Sequence, residues 1–195
     1  MKITPLGGAR EIGASSALLE VDGARLLIDA GLRPGSGGQR GPLPDFSILD
    51  EPPDSVLITH AHMDHTGAIP LLDEDLIGYS RIHMTTPTLH LLEVLQQDAV
   101  QRSSPEEIED DDRVHYTADQ VESSIARVVT HPFFRRFAPI EGRDDIVVEY
   151  LPCGHILGAG MMLIDTPDGR ILWTGDFSVA GATGQPTIGG FERDW

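Results

Sequence analysis

The amino-acid sequence predicts an α/β fold in which strands and helices pack in layers within one domain. Two observations carry this prediction. Short apolar runs of strand length recur along the chain, and segments with apolar residues at helical spacing lie between them. The chain has 195 residues, of which 40% are hydrophobic, and this is enough to bury one sizeable core.

The N-terminal part is predicted to be rich in strands, at 2–6, 16–21, 25–30 and 55–59. Asp22-Gly23 favours a tight hairpin between the second and third of them. The segment 31–54 contains five glycines and five prolines, which predicts a long surface loop. The fourth strand is a continuous apolar run bounded by turn residues, a pattern typical of a fully buried strand.

Helices are expected at 64–72, from Pro87 to about Arg102, and at 117–129. Proline suits the first position of the second helix, and an apolar stripe follows it, formed by Leu91, Leu92, Leu95 and Ala99. Thr117 and Gln120 form a capping-box pattern ahead of the third helix.

The remaining strands are predicted at 81–85, 133–138, 145–151, 161–166 and 170–175. Asp168-Gly169 favours a second hairpin between the last two. The acidic stretch 103–113 is expected to be a surface segment.

Charge and composition exclude several classes of protein. The chain has 31 acidic and 14 basic side chains, a formal net charge of −17, which argues against a simple nucleic-acid binder with a basic patch. Its apolar runs are shorter than the roughly 18 residues of a membrane span, so no membrane partner is expected. The N-terminus lacks a hydrophobic signal region, and the single cysteine, Cys153, suits a reducing compartment. We therefore expect a soluble, cytoplasmic protein.

The strongest functional pattern lies at the end of the buried strand: His60-Ala61-His62-Met63-Asp64-His65. Buried imidazoles and carboxylates are costly unless they are paired or bind a metal ion. A strand end followed by a tight loop can direct His60 and His62 to one side, while Asp64 and His65 face a neighbouring point. This arrangement predicts two adjacent positions with nitrogen and oxygen ligands, which suit Zn²⁺ or Mn²⁺.

Two distant segments complete this picture. His155 follows a predicted strand within a glycine-rich stretch, and Asp176 follows the last hairpin. Each residue alone would be unremarkable in a loop. Together with the histidine segment, both are predicted as further metal ligands.

Five segments carry a resemblance to a known family: Gly7-Gly8-Ala9-Arg10-Glu11-Ile12-Gly13, Leu27-Ile28-Asp29-Ala30-Gly31, Ile58-Thr59-His60, Gly154-His155-Ile156-Leu157-Gly158-Ala159 and Thr174-Gly175-Asp176-Phe177-Ser178. With the histidine segment, they resemble the metallo-β-lactamase superfamily, and in detail its β-CASP branch of RNA and DNA nucleases. The resemblance covers almost the whole chain in the same order. It implies an αββα sandwich, of which this chain is the N-terminal half with connecting elements.

The resemblance also implies the roles of the site residues. His60, His62 and His155 hold one zinc ion, Asp64 and His65 hold a second, and Asp176 bridges both. Asp64 and Asp176 are then the catalytic residues, with Asp64 orienting the activated water. The resemblance further makes Asp29 a residue that steadies the histidine loop.

The other histidines match no ligand of the family and are expected to be surface or packing residues: His83, His90, His115 and His131.

The family's final histidine ligand has no counterpart, because no histidine follows His155. We therefore expect residues 1–195 to be the N-terminal portion of a metallo-β-lactamase-like domain, with the β-CASP domain and the C-terminal half absent. One ion is expected to bind tightly and a second weakly or not at all, with Mn²⁺ as an alternative to Zn²⁺. A half-fold would expose an apolar sheet face, so a homo-oligomer or a complementing second polypeptide is expected.

The leading functional hypothesis is a metal-dependent phosphodiesterase of β-CASP type that acts on RNA or DNA, with RNA favoured over DNA. Two metal ions about 3.5–4 Å apart would activate water and stabilise charge on the phosphate. Two alternatives stay open. One is a hydrolase of the same superfamily acting on small esters or thioesters, and the other is a non-catalytic metal-binding subunit of a split nuclease.

Overall fold

Two β-sheets pack face to face in the computed structural model, which describes residues 1–35, 40–102 and 114–179. The larger sheet has six strands in chain order: β1 (Lys2–Gly7), β2 (Ser16–Val21), β3 (Ala24–Ile28), β4 (Ser55–Leu57), β5 (Arg81–Thr85) and β6 (Val128–His131). The first three strands are antiparallel, and β3 to β6 are parallel.

The smaller sheet is antiparallel, with the order β10-β9-β8-β7. Its strands are β7 (Arg136–Phe137), β8 (Val147–Pro152), β9 (Gly160–Thr166) and β10 (Gly169–Trp173).

Helices lie in the connections from β4 to β5 and from β5 to β6, since parallel strands need long crossovers that are usually helical. They are α1 (Met63–Thr66), α2 (Glu74–Ile77), α3 (Thr86–Arg102) and α4 (Ala118–Ile125), with short 3₁₀ turns at Phe46–Ile48 and Ile69–Leu71. Within the described ranges, none of these helices is both long and apolar enough to cross a bilayer.

Alternate residues of the larger sheet supply two separate cores. Leu26 and Ile28 of β3 pack between the sheets against Tyr150 and Met162, whereas Leu27 faces the opposite core, which includes Leu92 of α3. The alternation follows from the two-residue period of a strand. Burying each such side chain contributes roughly 1.5–3 kcal/mol, so both faces of the sheet stabilise the fold.

The local turn and cap predictions are confirmed. Asp22 and Gly23 have φ angles of 45° and 76°, as the predicted tight hairpin turn requires. The Thr117 side chain accepts a hydrogen bond from the Gln120 amide, and the Gln120 side chain accepts one from the Thr117 amide, which completes the capping box. The strand predicted at 55–59 is β4, which ends two residues earlier, at Leu57, is buried and pairs in parallel with β3 and β5.

The helix predicted at 64–72 is much shorter than expected, because α1 begins at Met63 and ends at Thr66. A glycine follows directly, and Pro70 lacks the amide that a continuing helix would need. The chain instead forms the 3₁₀ turn at Ile69–Leu71, and then α2, which the apolar pattern did not predict.

The prediction around 117–138 is wrong in its boundaries. α4 ends at Ile125, and the following residues form β6, which pairs in parallel with β5. The run Val128–Thr130 is β-branched and suits a strand next to β5. The strand predicted at 133–138 is reduced to the two residues of β7.

α3 has the predicted extent but a different buried face. Thr88, Leu92 and Gln96 are fully buried, whereas Leu95 and Ala99 of the predicted stripe are only half-buried. Thr88 and Gln96, four residues to either side of Leu92, therefore face the interior, which hydrophobicity alone does not indicate. The predicted acidic segment 103–113 lies outside the described residues, as does part of the predicted loop, 36–39.

The expected open apolar face is not found on β8 and β9. Leu151, Met161 and Leu163 form a buried cluster with Cys153 and are no more than 4% exposed. These strands therefore offer no argument for self-association.

Candidate metal centre

The histidine loop, residues 60–65, follows β4 at the edge where the carboxyl ends of the parallel strands lie. Backbone amides of Ser15, Ala30 and Leu32 donate hydrogen bonds of 2.8–2.9 Å to carbonyls within this loop. Residues before β2 and after β3 thus hold the loop in place. Ala30 belongs to the segment Leu27-Ile28-Asp29-Ala30-Gly31, so part of the resemblance lies in residues that support the histidine loop.

Gly31 is required by this packing. A Cβ atom at Gly31 would overlap the Asp64 carbonyl group, so the backbone reaches the histidine loop only without a side chain. The Gly31 amide also donates to the Ser15 carbonyl oxygen at 3.1 Å, which ties the two supporting segments together.

The smaller sheet brings the two distant residues to the same edge. His155 follows β8 and Asp176 follows β10. The amide of Gly160 donates to the Thr59 carbonyl oxygen at 3.0 Å, and the amide of Ser178 donates to that of Cys153 at 2.9 Å. These bonds connect the two loops of the smaller sheet to each other and to the histidine loop.

Four side chains converge on one point. His60 Nε2 lies 3.2 Å from His62 Nδ1, which lies 3.0 Å from His155 Nε2. His155 Nε2 is 3.6 Å from Asp176 Oδ2. One ligand atom from each of the four residues lies within 4.8 Å of the others.

This donor set fits a divalent metal ion. Zinc–nitrogen bonds of about 2.0–2.1 Å in a tetrahedron place two ligand nitrogens about 3.3 Å apart, close to the nitrogen separations observed. Burial and the neighbouring imidazoles lower the pKa of His60 to about 2, and burial is also the main cause of the lowered pKa of His155. Both rings are therefore neutral near pH 7, which is the form that binds metals.

A second group of donors lies on the other side of Asp176. His65 Nε2 is 3.6 Å from Asp176 Oδ1 and 4.0 Å from Asp64 Oδ2. The two carboxylate oxygens of Asp176 thus face different donor groups. The structure brings all six predicted residues to one edge of the sandwich, while their individual roles as ligands stay a prediction.

Asp29 lies beneath the two donor groups. It is 2% exposed and has a φ of 58°, which is uncommon for a non-glycine residue and frequent at functional sites. Its carboxylate accepts hydrogen bonds of 2.8 Å from the Thr59 amide and from His65 Nδ1. Because His65 Nδ1 is engaged in this way, Nε2 is left to face the centre.

Burial alone would lower the pKa of His65. The hydrogen bond and the charge of Asp29, together with the charges of Asp64 and Asp176, outweigh that effect and raise it. The acidic side chains around His65 therefore favour its protonated form.

Thr59 is a site residue that sequence reasoning did not single out. Its hydroxyl oxygen lies 2.9 Å from Asp29 Oδ2 and 3.0 Å from His60 Nδ1. When it donates to Asp29 and accepts from His60, the Nε2 atom of His60 is left with its lone pair directed at the centre. In the sequence, Thr59 is notable only as part of the segment Ile58-Thr59-His60 that carries the resemblance.

The other four histidines are not among the converging side chains. His83 and His131 contact each other, with 2.9 Å between Nδ1 and Nε2, and stack with Phe137. His90 is exposed on α3, and its ring lies 3.4 Å from Glu93. His115 is exposed and lines a cleft beside Asp64.

That cleft has a volume of about 510 Å³. Its walls include Leu32 and Met63 on one side and Leu95 and Ala99 of α3 on another. A largely apolar cleft that shares Asp64 with the metal centre is the kind of space in which a substrate group can lie next to reacting atoms.

Comparison with known proteins gives relatives across nearly the whole chain. Integrator complex subunit 11 of Danio rerio is 29% identical over 186 residues, covering 92% of this chain and 30% of that protein. Cleavage and polyadenylation specificity factor 73 of Drosophila melanogaster is 32% identical over 181 residues, covering 91% of this chain and 25% of that protein. The chain thus spans about a third or less of the length of these relatives.

Among solved structures, a protein of unknown function from Enterococcus faecalis V583 superposes with a TM-score of 0.59. It is 19% identical and the match covers 91% of this chain and 43% of that one, so the likeness concerns the fold.

A family model described as the metallo-beta-lactamase superfamily matches residues 9–194, which is nearly the entire chain. This match confirms the resemblance to the metallo-β-lactamase superfamily that the motifs indicated. The chain belongs to the metallo-β-lactamase superfamily.

Proposed function

We propose that this chain carries the metal centre of a phosphodiesterase that cleaves RNA. The observation that carries the proposal is the position of Asp176, whose two carboxylate oxygens each lie 3.6 Å from a histidine nitrogen of a different donor group. Two donor groups that share one carboxylate suit a pair of adjacent divalent ions. The relatives named for the Integrator complex and for cleavage and polyadenylation favour RNA as the substrate.

Zinc is the proposed ion, with manganese as an alternative, because the donors are imidazoles and carboxylates. A pair of such ions supplies Lewis acidity, lowers the pKa of coordinated water and neutralises charge on a phosphodiester.

The side chains divide into buried supports and accessible groups. His60 and His65 are buried, and His65 is fixed by Asp29. The side chains of Asp64 and Asp176 are 36% and 48% exposed, so they face the space that a substrate would enter. Asp64 can accept a hydrogen bond from the attacking water and orient it toward phosphorus.

The cleft beside Asp64 is the proposed place for a nucleobase next to the scissile phosphate. Its apolar walls, among them Met63 and Ala99, can contact the flat face of any base without distinguishing one base from another. The formal net charge of −17 opposes binding of a polyanion over the rest of the surface. A second copy would carry the same negative charge, so we propose that a complementing polypeptide supplies basic contacts to the strand.

The test uses the purified chain, stripped of metal with a chelator and reloaded with Zn²⁺ or Mn²⁺. We expect metal-dependent cleavage of labelled single-stranded RNA, weaker cleavage of DNA, and little turnover of chromogenic esters. His62→Ala should abolish cleavage, while His90→Ala, which changes an exposed histidine on α3, should leave it unchanged.

Ester turnover without RNA cleavage would contradict the proposal in favour of a small-molecule hydrolase. A chain that binds metal and stays inert on every substrate would favour a non-catalytic subunit. Cleavage that survives His62→Ala would show that the activity comes from elsewhere.

The nucleobase cleft has its own matched pair of variants. Ala99→Trp fills the cleft, whereas Val94→Trp adds the same bulk at a position of α3 that is 64% exposed. We expect Ala99→Trp to slow RNA cleavage while turnover of bis(p-nitrophenyl) phosphate, which has no base, stays unchanged. Equal RNA cleavage by the two variants would place the base outside this cleft.

A further inference from the structure

Two buried threonines contact the loop that carries His155. Thr85, the last residue of β5, and Thr88, in the first turns of α3, are 1% and 0% exposed. Their hydroxyl oxygens lie 2.6 Å and 3.0 Å from the carbonyl oxygen of Gly158 and 2.9 Å from each other. Neither residue belongs to the segments that contain the candidate metal ligands or carry the family resemblance.

The three oxygens form one closed hydrogen-bonding group. Each hydroxyl has a single proton, so at least one donates to the Gly158 carbonyl and the other donates to that carbonyl or to its neighbour. Thr88 also directs its backbone amide at Thr85 Oγ1, at 3.4 Å. A buried carbonyl without such a donor would be costly, so the loop is held at this point.

The backbone at Gly158 is shaped to allow this contact. Its φ is 81°, in the region that favours glycine. A Cβ atom at Gly158 would lie 2.5 Å from the Thr88 amide nitrogen and 2.9 Å from Thr85 Oγ1. The close approach of α3 to this loop therefore depends on glycine at this position.

Gly158 is three residues from His155, and the intervening turn is closed by a hydrogen bond from the Ala159 amide to the Ile156 carbonyl oxygen at 3.0 Å. Gly160, which follows Ala159, donates a hydrogen bond from its amide to the carbonyl oxygen of Thr59 beneath the centre. The loop after His155 thus has one attachment to Thr59 and one to the threonine pair. His155 itself is only partly buried, so its position depends on these attachments.

We propose that Thr85 and Thr88 are positioning residues for His155. They hold its Nε2 atom at the first metal position, where His60, His62, His155 and Asp176 converge. The inference rests on the proposed metal centre and adds α3 and β5 to the elements that build it. Residues that orient a metal ligand typically change metal affinity by about 10–100-fold. The threonine pair should therefore affect the first position, which includes His155, and have little effect on the donors around His65.

The test is a metal titration of the whole chain with Zn²⁺ against a chromophoric chelator, together with the absorption spectrum of the Co²⁺-loaded protein. Thr88→Val and Thr85→Val remove a hydroxyl with little change in volume. We expect each to weaken Zn²⁺ binding by about tenfold and to alter the Co²⁺ spectrum. Thr88→Ser, which keeps the hydroxyl, should restore both. Thr86→Val is the matched control, because Thr86 is exposed in the same segment.

A double-variant cycle separates positioning from a general loss of structure. In a His155→Ala background, Thr88→Val should have no further effect on Zn²⁺ affinity, whereas in a His65→Ala background its effect should persist. If Thr88→Val fails to fold, Thr88→Ala and Thr85→Val serve the same comparison.

Wild-type affinity and spectrum in both threonine variants would overturn the inference, as would an equal loss in the His155→Ala background. A wild-type chain that binds no Zn²⁺ would instead refute the proposed metal centre itself.

Discussion

Two histidine clusters in this chain have nearly the same nitrogen contacts and very different surroundings. The metal-centre cluster consists of His60, His62, His65 and His155, and the packing cluster of His83, His131, Phe137 and Tyr150. The closest nitrogens are 3.0 Å apart in the first and 2.9 Å apart in the second. Distance between two imidazoles therefore does not distinguish a candidate metal site from a packed pair.

The surroundings make the distinction. In the packing cluster, the rings of His131 and Phe137 stack with centroids 3.4 Å apart, and Tyr150 donates to the His83 carbonyl oxygen at 2.8 Å. In the metal-centre cluster the rings are nearly perpendicular, at 79–89° for three of the pairs, and exposed carboxylates face them. Among the described residues, only the metal-centre cluster gathers three or more potential ligands around one point.

The largest expected effect comes from removing one imidazole from each cluster. His62→Ala should weaken Zn²⁺ binding by more than about 100-fold, since direct ligands matter more than the residues that orient them. His131→Ala should leave Zn²⁺ binding unchanged and lower stability instead. Elemental analysis after dialysis, with thermal unfolding of the same samples, measures both. Equal metal loss in the two variants would show that the metal-centre cluster does not bind the ion more directly than the packing cluster does.

The support beneath the metal-centre cluster should give the next largest effect. Asp29→Asn keeps the shape but removes the charge that holds His65 Nδ1, and we expect Zn²⁺ affinity to fall by about 10–100-fold. Tyr150→Phe, which removes a buried hydrogen bond of the packing cluster, should cost about 1 kcal/mol of stability and no metal affinity. Zn²⁺ titration and chemical denaturation test the pair. Unchanged affinity in Asp29→Asn would remove this residue from the support of the centre.

Within the metal-centre cluster, the two donor groups should differ in affinity. The first offers three imidazoles and a carboxylate oxygen, whereas the second offers His65 and oxygens of Asp64 and Asp176. With fewer nitrogens, the second ion should bind about tenfold or more weakly. Calorimetric titration should therefore resolve one tight ion per chain and one weak ion. Two equally tight ions would show that a further donor completes the second position.

The smallest expected effect is a change in how stability depends on pH. Burial lowers the pKa of both His83 and His131 to about 4, and for His83 the charges of His131 and Arg81 act in the same direction, against the Pro139 carbonyl. The unfolded chain takes up these protons near the ordinary value of about 6.5, so the folded state loses stability as pH falls from about 6.5 to 4.

His131→Gln replaces one titrating ring with a neutral amide, so this loss should be smaller in the variant. Denaturant unfolding of the metal-free proteins across that pH range measures the difference. His60 and His65 titrate in both proteins and cancel in the comparison. Identical pH dependence would mean that the packing cluster is protonated equally in the folded and unfolded chains.

Local sequence determined much of this molecule. The Asp22-Gly23 turn and the capping box at Thr117 depend on backbone preferences and side-chain bonds within four residues, and both are where the sequence predicts them. The buried strand β4 follows equally from its continuous apolar run. The histidine loop was identifiable because four potential ligands within six residues are difficult to explain by packing.

Other boundaries depended on contacts between distant segments. The helical pattern after His62 extends beyond Thr66, yet α1 ends there. Carbonyl oxygens of α1 itself accept hydrogen bonds from the amides of Ser15, Ala30 and Leu32. Residues 128 and 129, predicted as the end of a helix, begin the strand β6 because β5 offers a parallel partner. A local sequence pattern cannot predict the end of α1 or the strand β6, because both depend on residues far away in the chain.

The functional detail divides in the same way. Residue types in sequence order indicate the six candidate ligands, because the chemistry of imidazole and carboxylate is local. The tertiary structure alone decides that Thr59 joins Asp29 to His60, that Thr85 and Thr88 reach Gly158, and that His83 and His131 stack instead of facing an ion. These contacts join residues up to 73 positions apart, and their geometry is fixed only when the two sheets and α3 pack together.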